Sequence, residues 1–457
     1  MKIYNTLTRQ KEEFVPVTPG EVKIYLCGPT VYNYFHVGNA RTFLFFDVVR
    51  RYFMYKGFKV TYVQNITDID DKLIEQSKKE NVPVSEIAAK YIKAFFDDTS
   101  DIGILPADNN PKATEYIGEM VGLIRDLEKK GFAYEVNGDV YFSIEADKNY
   151  GELSGKNVVE LQVGARVEEN IQKKHAADFT LWKKAKPGEP KWQSPWGEGR
   201  PGWHTECVVM SRKLLGTTFD IHGGAIDLIF PHHENEIAQA RGANGCLHAN
   251  YWMHGGFLNI TGEKMSKSLN NFFLTRDVLK KYDAEALRFF FLSKHYRSSI
   301  DYNEDIMKES EQAVKNFYTA LKEIDYLSIK DEKPEYSEDM LQMRSEFKEA
   351  MDDDFNTAKA IAVLFEAAKK CRATKDKYYA HLLVELGKVL GFFSDLESKL
   401  KSNVDSISND LIQLLIGYRI RFKKEKNWAM ADAIRDDLKK LGIQLKDTPT
   451  GTEWEME

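Results

Sequence analysis

The chain has 457 residues, 43% hydrophobic and 29% charged, a folded globular composition that excludes disordered and fibrous classes and, at this length, suggests about three domains. Its 64 basic and 70 acidic residues leave a net charge of −6, so a nucleic-acid partner must be met by a local basic face. No run of 18 apolar residues occurs, and the most apolar helical stretch, Phe43 to Met54, is interrupted by Asp47, Arg50 and Arg51, so no membrane span is expected. The opening segment, MKIYNTLTRQKEEFVPV, has neither an apolar signal core nor an acid-free transit composition, so a cytoplasmic location is expected. Cys27, Cys207, Cys246 and Cys371 are too few and too scattered for a disulfide framework and read as thiols or metal ligands.

In chain order, Val22 to Leu26 alternates as a strand, Cys27-Gly28-Pro29 punctuates its end, and apolar residues then recur at helical spacing through Phe43, Phe46, Val49 and Phe53 until Gly57. A second strand is expected over Lys59 to Gln64. This is a βαβ unit, whose ligands sit beyond the carboxyl ends of the strands, so the loop from Cys27 to Asn39 occupies a binding position. Ile117, Met120, Val121, Ile124 and Leu127, followed by Gly131, predict an amphipathic helix, and Tyr134 to Ile144 predicts a hairpin turning at Asn137-Gly138. Asp178 to Trp203 holds four of the seven tryptophans amid Pro and Gly and reads as an irregular insertion folded back onto the sheet. Short strands are expected over Phe219 to His222 and Tyr251 to His254, each followed by paired glycines that would let a ligand approach the backbone. From Asp301 to Lys401 the pattern is a helical bundle. After Ser408, one helical stripe (Leu411, Leu414, Leu415, Tyr418, Phe422) and another (Trp428, Ala431, Ile434, Leu438, Leu441), closed by Gly442, predict an antiparallel helical hairpin.

Six of the ten histidines, His204, His222, His232, His233, His248 and His254, fall within fifty-one residues. His232 and Glu236, four apart on an expected helix, share a face, and Cys27 and Cys207 border elements near the same sheet edge. Two thiolates, an imidazole and a carboxylate form a zinc set, but spacing alone does not choose between His232 and His233 or exclude His204.

Neither a P-loop nor a GxGxxG turn is present. Instead His36-Val37-Gly38-Asn39 opens a helix after the first strand, and Lys264-Met265-Ser266-Lys267-Ser268 lies more than two hundred residues later. Together they resemble the HIGH and KMSKS signatures of class I aminoacyl-tRNA synthetases. The match is complete at the second and departs at Asn39, where the signature has a histidine and an amide still donates a hydrogen bond. With Cys27-Gly28-Pro29-Thr30-Val31-Tyr32, Asn65 to Lys72, Pro201 to Cys207 and Phe230 to Glu236, the resemblance narrows to the cysteinyl-tRNA synthetase family and extends almost end to end, to Asp432, Ile434, Arg435 and Asp447-Thr448-Pro449.

That resemblance implies an α/β fold: a Rossmann-like parallel-sheet catalytic domain over residues 1–300 with an insertion at roughly 110–200, an α-helical bundle over 301–405, and a small anticodon-recognising domain over 406–457. It implies ATP-dependent formation of cysteinyl-adenylate, release of pyrophosphate and transfer of cysteine to tRNA(Cys), by a monomer. His36, Asn39, Lys264 and Lys267 would be catalytic, and Gly28, Thr30, His36, Gly38, Asn39, Gly223, Asp227 and Lys267 would meet the nucleotide. Thr67, Trp203 and His222 would lie near the amino acid. Among the open ligand choices it selects Cys27, Cys207, His232 and Glu236 for one Zn2+ per chain, with Mg2+ accompanying ATP. Because a carboxylate attacking the α-phosphate needs no general base, the catalytic work is electrostatic. Cysteine and serine differ by one atom, and shape discriminates them by only about 1–3 kcal/mol, whereas a ten-thousandfold preference needs roughly 5.5 kcal/mol. Thiolate coordination supplies the difference, and no editing domain is expected.

Between Leu411 and Lys440 eight basic residues face four acidic ones, a local excess suited to tRNA. Lys423, Trp428, Asp432 and Asp447 are anticodon candidates, although the family usually has Arg at the position of Lys423 and Asp at that of Asn427. Two alternatives are a ligase giving cysteine to an amino sugar, opposed by the long basic C-terminal portion, and an inactive tRNA-binding relative, opposed by the intact lysine motif.

Overall fold

Glu21–Leu26 (β1) is apolar on both faces, with Val22, Ile24, Tyr25 and Leu26 fully buried, as suits a central strand of a parallel sheet covered on both sides. In the computed structural model, which describes residues 1–156, 173–260, 263–264, 273–448 and 451–456, it is followed by Val37–Tyr55 (α1) and Lys59–Gln64 (β2). β1 and β2 pair in parallel from Glu21 opposite Lys59 to Leu26 opposite Gln64. Phe219–Ala225 (β3) and Ala249–Gly255 (β4) complete a parallel sheet of order β4-β3-β1-β2. The strand order reverses between β1 and β3, so the crevice beyond their carboxyl ends is the expected ligand position. α1 is buried along almost its whole length. The Asp47 and Arg51 that interrupt its apolar run are paired there: Asp47 Oδ2 accepts from Arg51 Nε and from Arg288 Nη1, each at 2.8 Å. Among the described residues no helix is long and apolar enough to cross a membrane.

The expected helix is found at Ile117–Lys129, and the hairpin joins Ala133–Val136 to Asp139–Phe142 through Asn137 (φ 56°) and Gly138 (φ 94°). The stretch from Asp178 to Trp203 corrects the expectation of irregular structure. Phe179–Lys184 and Gly199–Pro201 extend that hairpin into a separate four-stranded antiparallel sheet. Its Pro and Gly residues do not break the pairing, because Phe179, Leu181 and Trp182 anchor one strand in the core. Gly199 lies so close to the indole of Trp182 that a Cβ would sit 2.3 Å from Nε1.

The helices of the bundle are Glu304–Glu323, Glu338–Asp352, Thr357–Thr374 and Lys377–Val389. The chain forms two compact units, residues 1–324 with 331–394, and residues 325–330 with 395–457. In the second, Leu396–Lys424 is one continuous helix, running through the expected boundary at 405, and is followed by the helix Trp428–Lys440. The anticipated stripe on the first of these helices faces solvent: Leu411, Leu414, Leu415 and Tyr418 are exposed. The helix carries a second stripe one position away, and it is Ile412 and Ile416 that pack with Leu438 and Ile443. Trp428 is likewise 57% exposed. A terminal hairpin, Ile443–Thr448 with Gly451–Met456, was not anticipated; Ile443, Leu445 and Trp454 place its inner face on that small core.

Candidate active site and metal centre

A cavity of about 230 Å³ opens where β1 ends, between the loop 27–36, the start of α1 and the segment after β3. Of the anticipated site residues, Cys27, Gly28, Thr30, His36, Asn39, Trp203 and Asp227 line it. Gly38, Gly223, Thr67, His222, Cys207, His232 and Glu236 are not among its lining residues. Lys267 lies outside the described residues, and of Lys264 only the backbone, in the short strand Glu263–Lys264, is described.

His36 is the N-cap of α1, its Nδ1 accepting from the backbone N–H of Gly38 (3.1 Å) and Asn39 (3.3 Å). An imidazole that accepts at Nδ1 carries its proton at Nε2, so one interaction caps the helix and sets the ring as a donor. The helix terminus and this donor act on the same side, which favours an anion in the cavity.

The glycines that end β1 and β3 are also constrained by the protein's own packing. A Cβ on Gly223 would meet the ring of Phe46 at 2.2 Å, one on Gly224 would meet His233 at 2.7 Å, and one on Gly28 would meet the carbonyl oxygen of Asn65 at 1.7 Å. These positions admit the protein's own side chains and backbone. Thr67 joins two loops: its N–H donates to Pro29 O (3.1 Å), its hydroxyl donates to Glu206, and it accepts from Asn65 Nδ2 (3.3 Å). Lys72 also lines the cavity, its ammonium 5.3 Å from the centre of the Tyr32 ring. Sequence reading includes both residues in motifs and gives neither a role. A lysine at the start of a helix after a strand end is the signal that was available.

Behind the cavity wall the six clustered histidines converge. Cys27 Sγ and Cys207 Sγ are 3.9 Å apart; Cys207 Sγ is 3.6 Å from His232 Nε2; Cys27 Sγ is 3.7 Å from Glu236 Oε1; and His232 Nε2 is 3.0 Å from the same Oε1. A tetrahedral ion with metal–sulfur bonds of about 2.3 Å and metal–nitrogen bonds of about 2.0 Å requires edges of roughly 3.8 Å between sulfurs and 3.5 Å between sulfur and nitrogen. The four donors fit that requirement, so this buried cluster can hold a metal ion. A second group, Cys27, His222, His233 and Glu236, shares two of its members. Only the set with His232 includes both sulfurs. His204 stands behind it, its Nδ1 2.9 Å from His232 Nδ1, and orients that ring. His233 Nε2 lies 3.2 Å from Cys27 Sγ, and a hydrogen-bonded chain continues from His233 Nδ1 to His254 and on to Thr6 Oγ1. His222, fully buried, stacks on Trp252 with ring centres 4.4 Å apart, while Trp203 stacks on His232 at 4.3 Å and reaches the cavity.

Burial pushes the Cys27 thiol well up and that of Cys207 up to about 12, raises the carboxyl of Glu236, and lowers His232 to about 3. Without a cation the sulfurs keep their protons, and Glu236 Oε2 has only long contacts, 3.4 Å to His222 Nε2 and 3.5 Å to His248 Nε2. A dication held by these residues would reverse that balance and displace the thiol protons. Metal affinity is therefore expected to fall on acidification, by up to roughly a hundredfold per pH unit if two protons are released. Competition with a chelator between about pH 8 and about pH 6 measures this, and a pH-independent affinity would exclude thiolate ligation. Cys246 is exposed and Cys371 donates to Ala320 O at 3.7 Å in the bundle, so neither belongs to the cluster.

A switch-point crevice faced by a histidine-capped helix defines a nucleotide-binding α/β enzyme of the mononucleotide type. The chain belongs to the family described as tRNA synthetases class I (C) catalytic domain, whose model matches residues 13–312; a DALR domain matches residues 346–394. It is similar in structure to methionyl-tRNA synthetase of Mycobacterium tuberculosis in complex with methionyl-adenylate (TM-score 0.60, 14% identity, covering 81% of this chain and 90% of that one). It is also similar to LeuRS of Agrobacterium radiobacter K84 in a ternary complex with tRNA and LeuAMS (0.61, 11%, 85% and 86%) and to a protein described as a putative arginyl-tRNA synthetase from Campylobacter jejuni (0.53, 14%, 81% and 90%). These likenesses show the fold. As a class I synthetase the chain forms an aminoacyl-adenylate from ATP, with Mg2+, and charges tRNA.

Proposed function

We propose that this synthetase activates cysteine and charges tRNA(Cys), with one Zn2+ held by Cys27, Cys207, His232 and Glu236. The observation that carries the reading is the pair of buried sulfurs, 3.9 Å apart, meeting His232 and Glu236 at tetrahedral spacing against the cavity wall at Cys27. The family designation (C), read as a one-letter amino-acid code, supports it. Bound zinc would coordinate the substrate thiolate in preference to an alcohol, which is the selectivity that shape alone does not provide.

Thr67, Trp203 and His222 surround the amino-acid end, Trp203 on the cavity lining, Thr67 bonded to Pro29 of the loop that lines it, and His222 backing Cys27. The nucleotide is met by Gly28, Thr30, Gly38, Gly223 and Asp227 together with His36 and Asn39. A cysteine carboxylate oxygen attacks the α-phosphorus, forming the P–O bond of the adenylate while the bond to pyrophosphate breaks. His36 Nε2–H and the helix terminus stabilise the charge on the α-phosphoryl oxygens, and Lys264 and Lys267 neutralise the departing pyrophosphate. A hydroxyl at the 3′ end of the tRNA then displaces AMP from the cysteinyl carbonyl. Residues 1–300 carry this chemistry, with the insertion at roughly 110–200, residues 301–405 form the connecting bundle, and residues 406–457 meet the anticodon through Lys423, Trp428, Asp432 and Asp447. The protein acts as a cytoplasmic monomer.

Cysteine-dependent ATP–pyrophosphate exchange followed by charging of purified tRNA tests the reading. Cysteine is expected to be preferred over serine by about ten-thousandfold; exchange with methionine, leucine or arginine in place of cysteine would overturn it. Lys267→Ala is expected to slow adenylation by about a hundredfold to a thousandfold with cysteine affinity unchanged. Single-turnover kinetics at an unaltered rate would remove Lys267 from the mechanism.

A further inference from the structure

The two signature segments are far apart in sequence, yet the described residues flanking the lysine motif meet the beginning of α1 at both ends. On the entry side, the guanidinium of Arg41, 3% exposed, donates from Nη1 to Gly256 O (2.8 Å) and Phe257 O (2.5 Å), and from Nη2 to Tyr296 O (3.3 Å) and Ser298 O. One planar fork thus closes the junction between residues 256–257 and 296–298. From that junction Leu258–Ile260 (β5) and Ile300–Tyr302 (β7) run in parallel, and Glu263–Lys264 (β6) pairs with β5, placing Asn259 opposite Lys264. The junction is tight enough to require glycine, since a Cβ on Gly256 would lie 2.6 Å from Arg297 O and 2.7 Å from Ser298 O. Tyr296 is held from two more sides. Its ring stacks on Phe45 of α1 with centres 4.0 Å apart, and its hydroxyl donates to Asp354 at 2.9 Å. Asp354 also accepts from Arg297 Nε at 2.9 Å. On the exit side, Val37 N–H donates to Phe273 O (3.1 Å) and Thr275 N–H to Phe35 O (3.2 Å), on either side of His36.

We propose that Arg41 is a positioning residue, holding the root of the strand that bears Lys264 in register with the His36 end of α1. The inference rests on the roles assigned above to His36 and Lys264. Arg41 lies on the helix that His36 caps, so a shift of the 256–257 root relative to Arg41 carries over to the strand that bears Lys264 relative to the donor at the α-phosphate. A displacement of about 1 Å between groups acting on one transition state can cost on the order of a hundredfold in rate. A single ammonium has three donors and would leave at least one of the four converging carbonyls without a bond.

The test compares wild type, Arg41→Lys and Gly256→Ala in cysteine-dependent ATP–pyrophosphate exchange, with bound metal, cysteine affinity and circular dichroism measured on the same preparations. Lysine keeps the charge and loses the fork, and alanine at 256 forces the same junction apart without touching Arg41. In both variants kcat is expected to fall about tenfold or more, with the KM for cysteine and the metal content within about twofold of wild type. Unchanged kcat in either folded variant overturns the proposal, and so does a loss of metal and cysteine affinity in proportion to kcat, which would mark general damage. If Arg41→Lys does not fold, Gly256→Ala decides by the same criteria, and failure of both to fold assigns Arg41 to stability alone and overturns it. A wild-type enzyme without cysteine-dependent exchange would refute the functional reading instead.

Discussion

Replacing Cys27 with serine is expected to remove bound metal and cysteine activation together. Cys27 is the only cluster residue that also lines the cavity, and its sulfur is within 3.9 Å of Cys207 Sγ and 3.7 Å of Glu236 Oε1. A hydroxyl is a poor ligand for a borderline-soft cation, so the variant loses one of four donors and most of its affinity. On the proposed function, activation would then forfeit the thiolate selectivity worth roughly 5.5 kcal/mol, and the ten-thousandfold preference for cysteine over serine would collapse. Metal analysis and pyrophosphate exchange on the same sample check this. Cys246→Ser, at an exposed position away from the cluster, is expected to leave both quantities unchanged. Full exchange in metal-free Cys27→Ser would show that the cluster does not select the substrate.

The second large effect is expected at His36, where a single ring that lines the cavity caps α1 through Nδ1 and so carries its proton at Nε2. His36→Ala removes both functions. Loss of a cap costs about 1 kcal/mol of stability, and loss of a preorganised donor to the α-phosphoryl group costs about a hundredfold to a thousandfold in kcat. His36→Asn separates them, because asparagine is among the best caps but its shorter amide does not carry a donor to the position of Nε2. Its thermal midpoint is expected to match wild type while kcat stays low. Recovery of the rate along with the stability would make His36 a purely structural cap.

Local order was readable where one physical signal dominates. β1, α1 and β2 followed from an apolar strand, a helical apolar stripe and Gly57, whose φ of 90° suits only glycine well. Asn137-Gly138 announced its turn through the left-handed backbone both residues adopt. The signal failed where two patterns compete. Leu411, Leu414, Leu415 and Tyr418 form as regular a stripe as Ile412 and Ile416, and only packing against Leu438 and Ile443 decides which faces inward. Pro and Gly between Asp178 and Trp203 outweighed the buried aromatics that build strands there.

At the site, residue types and the i,i+4 relation of His232 and Glu236 pointed to the donor set, and the arrangement of both sulfurs around His232 is what sequence spacing left open. What no periodicity encodes is the long-range bond. Thr67 to Glu206, Arg41 to four carbonyls, Cys27 to His233, and His254 to Thr6 each join positions separated by 139 residues or more, and each became visible only when the chain was folded.

The most direct measurement is the absorption of the cobalt-substituted protein as amino acid is added. On the proposed function, two sulfur ligands in the resting site would become three when cysteine binds, so the sulfur-to-cobalt charge-transfer band is expected to rise to about one and a half times its starting intensity, and serine to leave it unchanged. A band that does not respond to cysteine, in a protein that still binds it, would contradict direct recognition of the substrate sulfur by the metal.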